Sequence, residues 1–436
     1  MQHIENKKDL IKFFEVSEKP KSQWRIGAEH ELFLYNTKTL QRASAQEIQT
    51  LLRAWADAPE IIIFEGVNPI GVNLKNATIS LEPGGQFELS GAPYACLYQV
   101  TQESTQHASR LKEVAATLNL FPVSLGYDPY THVAQAPWMP KARYGVMRPY
   151  MTTKGTHGLE MMANTCTVQV NLDYASESDM VRKFRVALAL QPLATALFSN
   201  SPLTQGAVNG YQSYRRFIWH HTDSDRCGTP AFVFEDGMGY ERYVDYALDV
   251  PMYFVKRDDR YINVAGQSFR DFMEGRLRGL PSELPTLKDW EDHLTTIFTE
   301  VRLKRILEMR GADSGPLPHL CALPAFWVGL LYNEDALSAC EELIKSWTFE
   351  DILKATQDVP VQGLNTILQG QDFWHIAKDV LMHAYHGLQC WQAWPGEIHP
   401  LDHLTHILES RTTQAMKTLE IFQQYPDKAD FLREIS

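Results

Sequence analysis

The sequence predicts an α+β fold, in which a largely antiparallel sheet is polar on one face and covered by helices on the other. Two observations predict this class. Four segments alternate polar and apolar residues with a period of two, and long segments with helical spacing separate them. The composition is even along all 436 residues, without internal repeats or low-complexity linkers, which favours one integrated unit over several independent domains.

The strand predictions follow the alternating segments in chain order. They cover residues 24–35, residues 78–90 with a bend at Pro83-Gly84-Gly85, residues 165–174 and residues 301–310. Each segment is half polar, which is typical of a strand with one packed face. A hairpin is predicted over residues 252–264, with its turn at Asp258-Asp259.

Helical spacing predicts helices between these strands. Residues 99–118 contain no Gly or Pro, and residues 178–190 begin with a capping residue and an acidic first turn. The segment around Leu10 and Phe14 predicts an amphipathic N-terminal helix, and residues 404–425 are typical of the mostly helical region that begins near residue 320. We therefore expect a single domain over residues 1–436, with a sheet core at about 20–315 and a helical C-terminal part at about 316–436.

The charge balance limits the classes of partner. The chain has 41 Lys and Arg residues against 53 Asp and Glu residues, a net charge of −12. This excludes a broad nucleic-acid-binding surface, because phosphate neutralisation requires a basic field. The most apolar runs, residues 187–198 and 321–332, are too short to span a bilayer. The N-terminal segment lacks the apolar stretch of a signal peptide, so we expect a soluble cytoplasmic protein without nucleic-acid or membrane partners.

Strand parity gathers acidic residues on one face of the predicted sheet. Residues two apart in a strand point to the same side, so Glu29 and Glu31 share a face while His30 lies on the other. If the apolar faces all pack on helices, the polar faces converge. The converging polar residues are Glu29, Glu31, Glu82, Glu88, Gln169, Glu308 and Arg310. His30 is then predicted to be a packed core residue.

Clustered carboxylates repel one another, and a hard divalent cation is the usual means of neutralising them. Oxygen ligands of this kind suit Mg²⁺ or Mn²⁺. One Glu-x-Glu is most often a solvated strand face, whereas two acidic strands beside a Glu-x-Arg strand are a stronger indication of a site.

Arginines supply the opposite charge. Arg215 and Arg216 follow a loop after residue 200, and Arg302, Arg305 and Arg310 are concentrated around the last predicted strand. Guanidinium groups bind carboxylates and phosphates in a bidentate manner, so the combination favours chemistry on a nucleotide phosphate and a carboxylate substrate. For each arginine alone, a structural ion pair is an equally good interpretation. The chain has no P-loop, no Gly-x-Ser-x-Gly and no His-Glu-x-x-His motif.

The sequence resembles the plant-type glutamate–cysteine ligases at these residues. The similar motifs are IGAEHE at 26–31, LEPGGQFELSGAP at 81–93, MANTCTVQVNLD at 162–173, LQPLATALFSNSP at 190–202, YVDYALDVPMYF at 243–254, VRLKR at 301–305, LEMRGAD at 307–313 and CALPAFWVGLLY at 321–332. The resemblance covers roughly residues 20–350, and the remaining C-terminal part matches only loosely.

The resemblance implies a glutamine-synthetase-like catalytic fold, with a curved, mainly antiparallel sheet covered by helices. It also implies an ATP-dependent ligase that joins the γ-carboxyl of L-glutamate to the amine of L-cysteine through γ-glutamyl phosphate, the first step of glutathione synthesis. The metal ligands implied by the motifs are Glu29, Glu31, Glu82, Glu88 and Glu308, with Glu308 and Gln169 binding the metal–ATP cofactor. The catalytic residues implied by the motifs are Arg310 and Arg215. The implied substrate-binding residues are Arg215, Arg302, Tyr253 and Trp290.

Some features depart from the family or leave alternatives open. Leu32, Phe33 and Leu34 replace a Lys-Phe-Gly of the family, and the missing plant transit peptide favours a bacterial cytosolic enzyme. Disulfide regulation in some plant members makes Cys321–Cys340 and Cys166–Cys390 candidate pairs. The open alternatives are a ligase using another amine or serving an ergothioneine-like thiol pathway, a non-catalytic regulatory relative, and a monomer or a homodimer.

Overall fold

The computed structural model describes residues 3–258, 260–391 and 399–436. The α-helices are α1 (Lys7–Glu15), α2 (Ala45–Trp55), α3 (Leu97–Thr117), α4 (Ala142–Met151), α5 (Gly158–Asn164), α6 (Glu177–Leu197), α7 (Tyr214–His220), α8 (Tyr240–Asp249), α9 (Phe269–Met273), α10 (Leu287–Leu294), α11 (Leu317–Leu331), α12 (Glu334–Ile344), α13 (Phe349–Gln362), α14 (Phe373–Cys390), α15 (Asp402–Ser410), α16 (Gln414–Gln424) and α17 (Lys428–Glu434).

The strands are β1 (Ile26–Asn36), β2 (Ile62–Glu65), β3 (Asn68–Asn73), β4 (Thr78–Leu81), β5 (Phe87–Ser90), β6 (Leu120–Val123), β7 (Thr167–Leu172), β8 (Leu203–Thr204), β9 (Ala207–Val208), β10 (Cys227–Gly228), β11 (Phe254–Arg257), β12 (Arg260–Asn263), β13 (Phe298–Thr299), β14 (Val301–Leu303), β15 (Leu307–Asp313), β16 (Ile367–Leu368) and β17 (Gln371–Asp372).

One sheet of nine strands organises the described residues. Its order is β14-β15-β7-β1-β5-β4-β3-β2, with β6 pairing to the far half of β1. Its pairings are antiparallel, which confirms the predicted fold class. The long central strand β1 pairs with both β5 and β7, and this places the two acidic segments and the Gln169 segment side by side.

The predicted strands are present, with one difference. Residues 301–310 form two strands, β14 and β15, because the chain reverses at 304–306 and pairs Arg302 with Glu308. The predicted hairpin is β11 with β12, paired from Phe254 and Asn263 to Arg257 and Arg260. Of its predicted turn, Asp258 has a positive φ of 51°, and Asp259 lies outside the described residues.

Helices cover the apolar face of the sheet. Ala28 of β1 and Val170 of β7 belong to one buried cluster with α6 and α11, while Leu32 and Leu89 belong to a second cluster with α2 and α3. His30 is 2% exposed and its ring centroid lies 5.2 Å from that of His107 on α3. The prediction that His30 is a packed core residue is therefore confirmed.

The helix predictions agree with the structure. Residues 99–118 coincide with α3 apart from Leu118, its C-cap, and residues 178–190 fall in α6, whose N-cap Ser176 accepts a hydrogen bond from the backbone of Asp179. The helical pattern over 404–425 is divided between two helices, α15 and α16. Arg411 adopts a left-handed conformation with φ 52° and ends α15, and the side chain of Thr413 caps the start of α16.

The six cysteines all lie in described segments and are unpaired there, so neither candidate disulfide is formed in this structure. Cys340 and Cys166 are fully buried, while Cys390 is exposed. Within the described ranges, no helix has both the length and the apolar character needed to cross a bilayer. The single-domain organisation stays a prediction.

Candidate active site

A pocket lies over the polar face of the sheet, between the strands β1, β7 and β15 and the helices α4, α5 and α7. Its lining residues are Glu31, Glu82, Pro83, Gln86, Arg143, Tyr144, Met147, Met161, Met162, Thr165, Thr167, Arg215, Trp219, Phe254, Thr295, Thr296, Phe298 and Arg310. One part of this wall is charged and the other is formed by methionines and aromatic rings. The arrangement suits a substrate set with both anionic and apolar portions.

Strand register aligns the acidic residues on this face. Glu31 of β1 is paired directly with Glu88 of β5, and Glu29 is paired with Gln169 of β7. The Ser80 hydroxyl lies 2.9 Å from both Glu82 Oε1 and Glu88 Oε2, so these two carboxylates share one hydrogen-bond donor. The predicted convergence of the carboxylates on β1, on β5 and directly after β4 is what the antiparallel pairing produces.

The crowding of these carboxylates opposes their ionisation. Burial, followed by the charge of Glu82, raises the pKa of Glu31 to about 8. Burial and the charges of Glu82, Glu29 and Glu31 raise the pKa of Glu88 well above its ordinary value. These carboxylates therefore lack sufficient positive charge among the protein groups around them.

Glu82 differs because it has cationic neighbours. Burial opposes its ionisation, but the charges of Lys141 and Arg143 outweigh that effect and lower the pKa of Glu82. The Lys141 Nζ atom lies 3.8 Å and an Arg143 nitrogen 3.6 Å from its carboxylate oxygens. Burial in turn lowers the pKa of Lys141 to about 8.

The electrostatics fit a divalent cation near Glu31 and Glu88, since added positive charge would favour their ionised forms. In the part of the chain that the structure describes, however, no group of three His, Cys, Asp or Glu side chains forms a ready-made metal site. Glu29 accepts a hydrogen bond from Asn171 Nδ2 at 2.7 Å, and Glu31 accepts one from the backbone N–H of Thr167 at 3.0 Å. Their carboxylates are thus held by single contacts.

Glu308 is already neutralised by three cations. Arg302 donates two hydrogen bonds to its carboxylate, from Nε at 2.7 Å and from Nη2 at 2.9 Å, and Lys304 and Arg310 lie at 3.1 Å and 2.8 Å. Burial opposes ionisation of Glu308, but these cations lower its pKa well below the ordinary value. Metal binding by Glu308 would require these ion pairs to open first.

Two arginines face the pocket from different elements. Arg215 on α7 donates from Nη2 to the backbone carbonyl of Arg310 at 3.0 Å, and its buried Nε has no partner among the described residues. Arg310 on β15 donates to Glu308 and to the side-chain oxygen of Gln169. Gln169 therefore orients Arg310 here, and Arg215 keeps an unused donor.

Three residues predicted to contact substrate lie elsewhere. Trp290 is fully buried in the core, with its ring 5.2 Å from that of Phe269. Tyr253 is also buried, under the guanidinium of Arg226 at 3.9 Å. Every guanidinium nitrogen of Arg302 has a protein partner, either Glu308 or the carbonyls of residues 295 and 297. None of the three lines the pocket, so packing or ion pairing explains these residues better than substrate contact.

The sequence-based prediction missed one wall of the pocket. Arg143 and Tyr144 of α4, Trp219 of α7 and Phe298 of β13 reach it from segments with no strand parity. The available signal was local: residues 137–150 combine three basic residues with aromatic and methionine residues. The sequence of such a segment does not show which side chains will line the pocket, because this depends on how the helix packs on the sheet.

Comparison with known proteins identifies the family. The model of the glutamate-cysteine ligase family 2 matches residues 25–411. The chain belongs to this family. It is 49% identical to the chloroplastic glutamate–cysteine ligase of Nicotiana tabacum over 417 residues, which cover 95% of this chain and 80% of that protein. It is 48% identical to chloroplastic glutamate–cysteine ligase B of Oryza sativa subsp. japonica over 418 residues, 96% of this chain and 84% of that protein.

The fold is similar to that of a solved glutamate–cysteine ligase. The crystal structure of glutamate–cysteine ligase from Francisella tularensis in complex with AMP superposes with a TM-score of 0.56 at 13% identity, covering 96% of this chain and 89% of that chain. At this identity the similarity shows the fold alone. The predicted family and architecture are both confirmed.

The predicted cytoplasmic location is wrong. The family relatives from Nicotiana tabacum, Oryza sativa and Arabidopsis thaliana are all named as chloroplastic enzymes. The prediction rested on the N-terminal segment, which forms α1 and buries Leu10, Phe13 and Phe14 against the core. A docked helix of this kind carries no information about location.

Proposed function

We propose that this pocket joins the γ-carboxyl of L-glutamate to the amine of L-cysteine with cleavage of ATP, the first step of glutathione synthesis. The observation that carries the proposal is the meeting of uncompensated carboxylates with the arginines Arg215 and Arg310 over one sheet face, in a chain of the glutamate–cysteine ligase family. Carboxylates that lack counter-charge suit a metal–nucleotide complex, and arginines suit substrate carboxylate and phosphoryl oxygens.

Glu29, Glu31, Glu82 and Glu88 would hold a divalent cation, Mg²⁺ or Mn²⁺. The cation supplies positive charge that binds and orients the phosphate oxygens of ATP. Glu308 has a different role in this proposal, because its bidentate pair with Arg302 and its contact with Arg310 hold the Arg310 guanidinium in place. Lys141 and Arg143 contribute further positive charge on the nucleotide side, beside Glu82.

The reaction has two steps. In the first, an oxygen of the glutamate γ-carboxylate forms a bond to the γ-phosphorus of ATP, the bond to the β-phosphate oxygen breaks, and ADP leaves. In the second, the cysteine amine attacks the acyl carbon of γ-glutamyl phosphate and inorganic phosphate leaves as the amine loses a proton. Both transition states carry negative charge on oxygen, which a preorganised Arg310 stabilises while Arg215 holds the glutamate carboxylate.

No protein nucleophile is needed in this scheme, because the substrate carboxylate itself attacks phosphorus. The contribution of the protein is alignment and charge neutralisation. Arg215 is buried and the Arg310 side chain is only 12% exposed, which strengthens both effects, since electrostatic interactions are less screened away from water.

Phosphate release from ATP is the direct test. We expect release with Mg²⁺-ATP, glutamate and cysteine together, and a mass-spectrometric product equal to glutamate plus cysteine minus water. Omission of glutamate should abolish release. A panel of other amines in place of cysteine tests the remaining candidates: an equal or faster rate with another amine, or no turnover at all, would contradict the proposal. Light scattering distinguishes the two oligomeric states that remain open, a monomer and a homodimer.

A further inference from the structure

A buried carboxylate outside the pocket is connected through two serine hydroxyls to the backbone of the pocket residue Arg215. Asp313 ends strand β15 and is fully buried. Its Oδ2 atom accepts from the Ser201 hydroxyl at 2.6 Å and from the backbone N–H of Asn200 at 2.8 Å, and its Oδ1 atom accepts from the Ser213 hydroxyl at 2.8 Å. Asp313 is not a lining residue of the pocket.

The two serines connect the Asp313 carboxylate to the first turn of α7. The Ser201 oxygen accepts from the backbone N–H of Arg215 at 3.0 Å, and the Ser213 oxygen accepts from the backbone N–H of Arg216 at 3.2 Å. Ser213 is the N-cap of this helix. One carboxylate thus fixes two consecutive amides through two hydroxyls, which is more restraint than a serine cap gives alone.

The helix that is held in this way carries Arg215 into the pocket. The Arg215 guanidinium reaches the backbone carbonyl of Arg310, three residues before Asp313 on the same strand. Strand β15 therefore touches α7 at two points, at the Arg215 side chain and, through Asp313, at the start of the helix. These two contacts define where Arg215 sits relative to Arg310.

The local packing restricts the position of the Asp313 side chain. A Cβ atom on the buried Gly126 would lie 2.5 Å from the Asp313 Cβ atom, so only a glycine fits beside it. The Gly126 N–H also donates to the carbonyl of Asn200, which holds the 200–201 segment against the carboxylate. Asp313, Ser201 and Ser213 are at most 1% exposed, so the network is shielded from solvent, as expected of a group that holds a defined geometry.

We propose that Asp313 is a positioning residue that sets the place of Arg215 in the active site by holding the start of α7 through Ser201 and Ser213. The inference deepens the proposed function and rests on it, because it takes Arg215 as the group that binds the glutamate carboxylate. A merely structural carboxylate would stabilise the fold without a specific effect on glutamate.

The test uses the substitutions Asp313→Asn and Ser213→Ala in the full chain, with steady-state kinetics for each substrate. We expect kcat/KM for glutamate to fall about tenfold to a hundredfold, as for a displaced positioning group, with the KM for ATP little changed. Two matched controls remove comparable groups elsewhere: Ser176→Ala deletes the N-cap hydroxyl of α6, and Asp289→Asn alters the buried capping-box carboxylate of α10. Neither control should change the KM for glutamate.

A double-mutant cycle then separates positioning from stability. If Asp313 acts through Arg215, adding Asp313→Asn or Ser213→Ala to Arg215→Ala should cause little further loss in kcat/KM. Additive losses, or equal losses in the controls, would overturn the proposal. If Asp313→Asn does not fold, Ser213→Ala and Ser201→Ala decide the same question.

The proposed function can fail separately. If the wild-type chain shows no turnover dependent on glutamate and cysteine, that function is wrong whatever Asp313 does. A crystal structure of Asp313→Asn, or of Ser213→Ala, then tests the positional claim without any activity measurement. A displaced Arg215 side chain supports it, and an unmoved one contradicts it.

Discussion

Ionisable groups on the two faces of strand β1 are both buried, but their surroundings differ. His30 faces the helices, and burial lowers the pKa of its imidazole to about 4, so it is a neutral core ring. Glu31, the next residue, faces the pocket, and burial together with the Glu82 charge raises the pKa of its carboxyl to about 8. Burial disfavours charge on both faces, yet only the pocket face gathers groups that repel one another.

This difference distinguishes a buried residue that serves packing from buried residues that serve function. Neither ring nitrogen of His30 has a hydrogen-bond partner among the described residues, and its ring packs edge-to-face on that of His107. Burial of the His30 imidazole requires no buried charge, because the ring is neutral near pH 7. The carboxylates around Glu88 are costly without added positive charge, and a protein keeps such groups together when a ligand supplies that charge.

The largest expected effect is on the pocket face, at Glu88. Glu88→Gln keeps the size of the side chain and its contact with Ser80, but removes one charge that a metal–ATP complex would need. We expect turnover to fall below detection while the melting temperature at neutral pH stays the same or rises, because a source of repulsion has gone. Phosphate release and thermal unfolding measure the two quantities. Near-normal rates at saturating Mg²⁺-ATP would contradict the metal-site assignment.

Arg310→Ala should have the next largest effect. It removes a guanidinium that Glu308 and Gln169 hold beside the pocket, and loss of one transition-state charge partner reduces turnover by about a hundredfold or more. Arg305→Ala is the matched control, because Arg305 lies in the 304–306 turn before the same strand and its side chain is 48% exposed. A loss confined to KM, or an equal loss in the control, would assign Arg310 to binding or to folding alone.

Strand parity predicted more of the site than any other feature of the sequence. Alternation along 24–35 and 78–90 placed Glu29, Glu31 and Glu88 on one face, and the observed register pairs Glu31 with Glu88. Parity works here because each strand has one apolar face that must be buried. The alternating polar residues must then lie on the opposite face of the sheet. The same argument correctly assigned His30 to the core.

Parity could not show what the cross-strand partner of each residue would be. The sequence alone shows no partner for Arg302. The turn at 304–306 pairs Arg302 with Glu308, whose carboxylate accepts hydrogen bonds from two of its guanidinium nitrogens. Trp290 lies at helical spacing with Leu287 and Leu294, so strand parity does not apply to it, and packing of α10 buries it completely. Arg143 and Trp219 reach the pocket only after α4 and α7 pack on the sheet, which is a long-range event that local pattern does not encode.

A pH dependence of stability sharpens the comparison within β1. The folded pKa of Glu31 is about 8, against an ordinary value of 4.5, so the folded state binds this proton more tightly than the unfolded state. Stability from this group is therefore fully present below pH 4.5 and is lost as the pH rises towards 8. Urea unfolding of the metal-free protein across this range should show a decline that is smaller in Glu31→Gln. An equal slope in both proteins would show that Glu31 titrates normally.

The smallest effect is expected on the other side of the same strand. His30→Leu replaces a buried ring without hydrogen-bond partners among the described residues by an apolar side chain of similar volume, so the free energy of unfolding should change by less than about 1.5 kcal/mol. Turnover should stay close to the wild-type rate, whereas Glu29→Gln, one residue away on the pocket face, should lose most of it. Denaturant unfolding and phosphate release on the two variants provide the comparison. If His30→Leu lost activity while remaining folded, the helix-covered face would also contribute to catalysis, and burial alone would no longer separate the two roles of the strand.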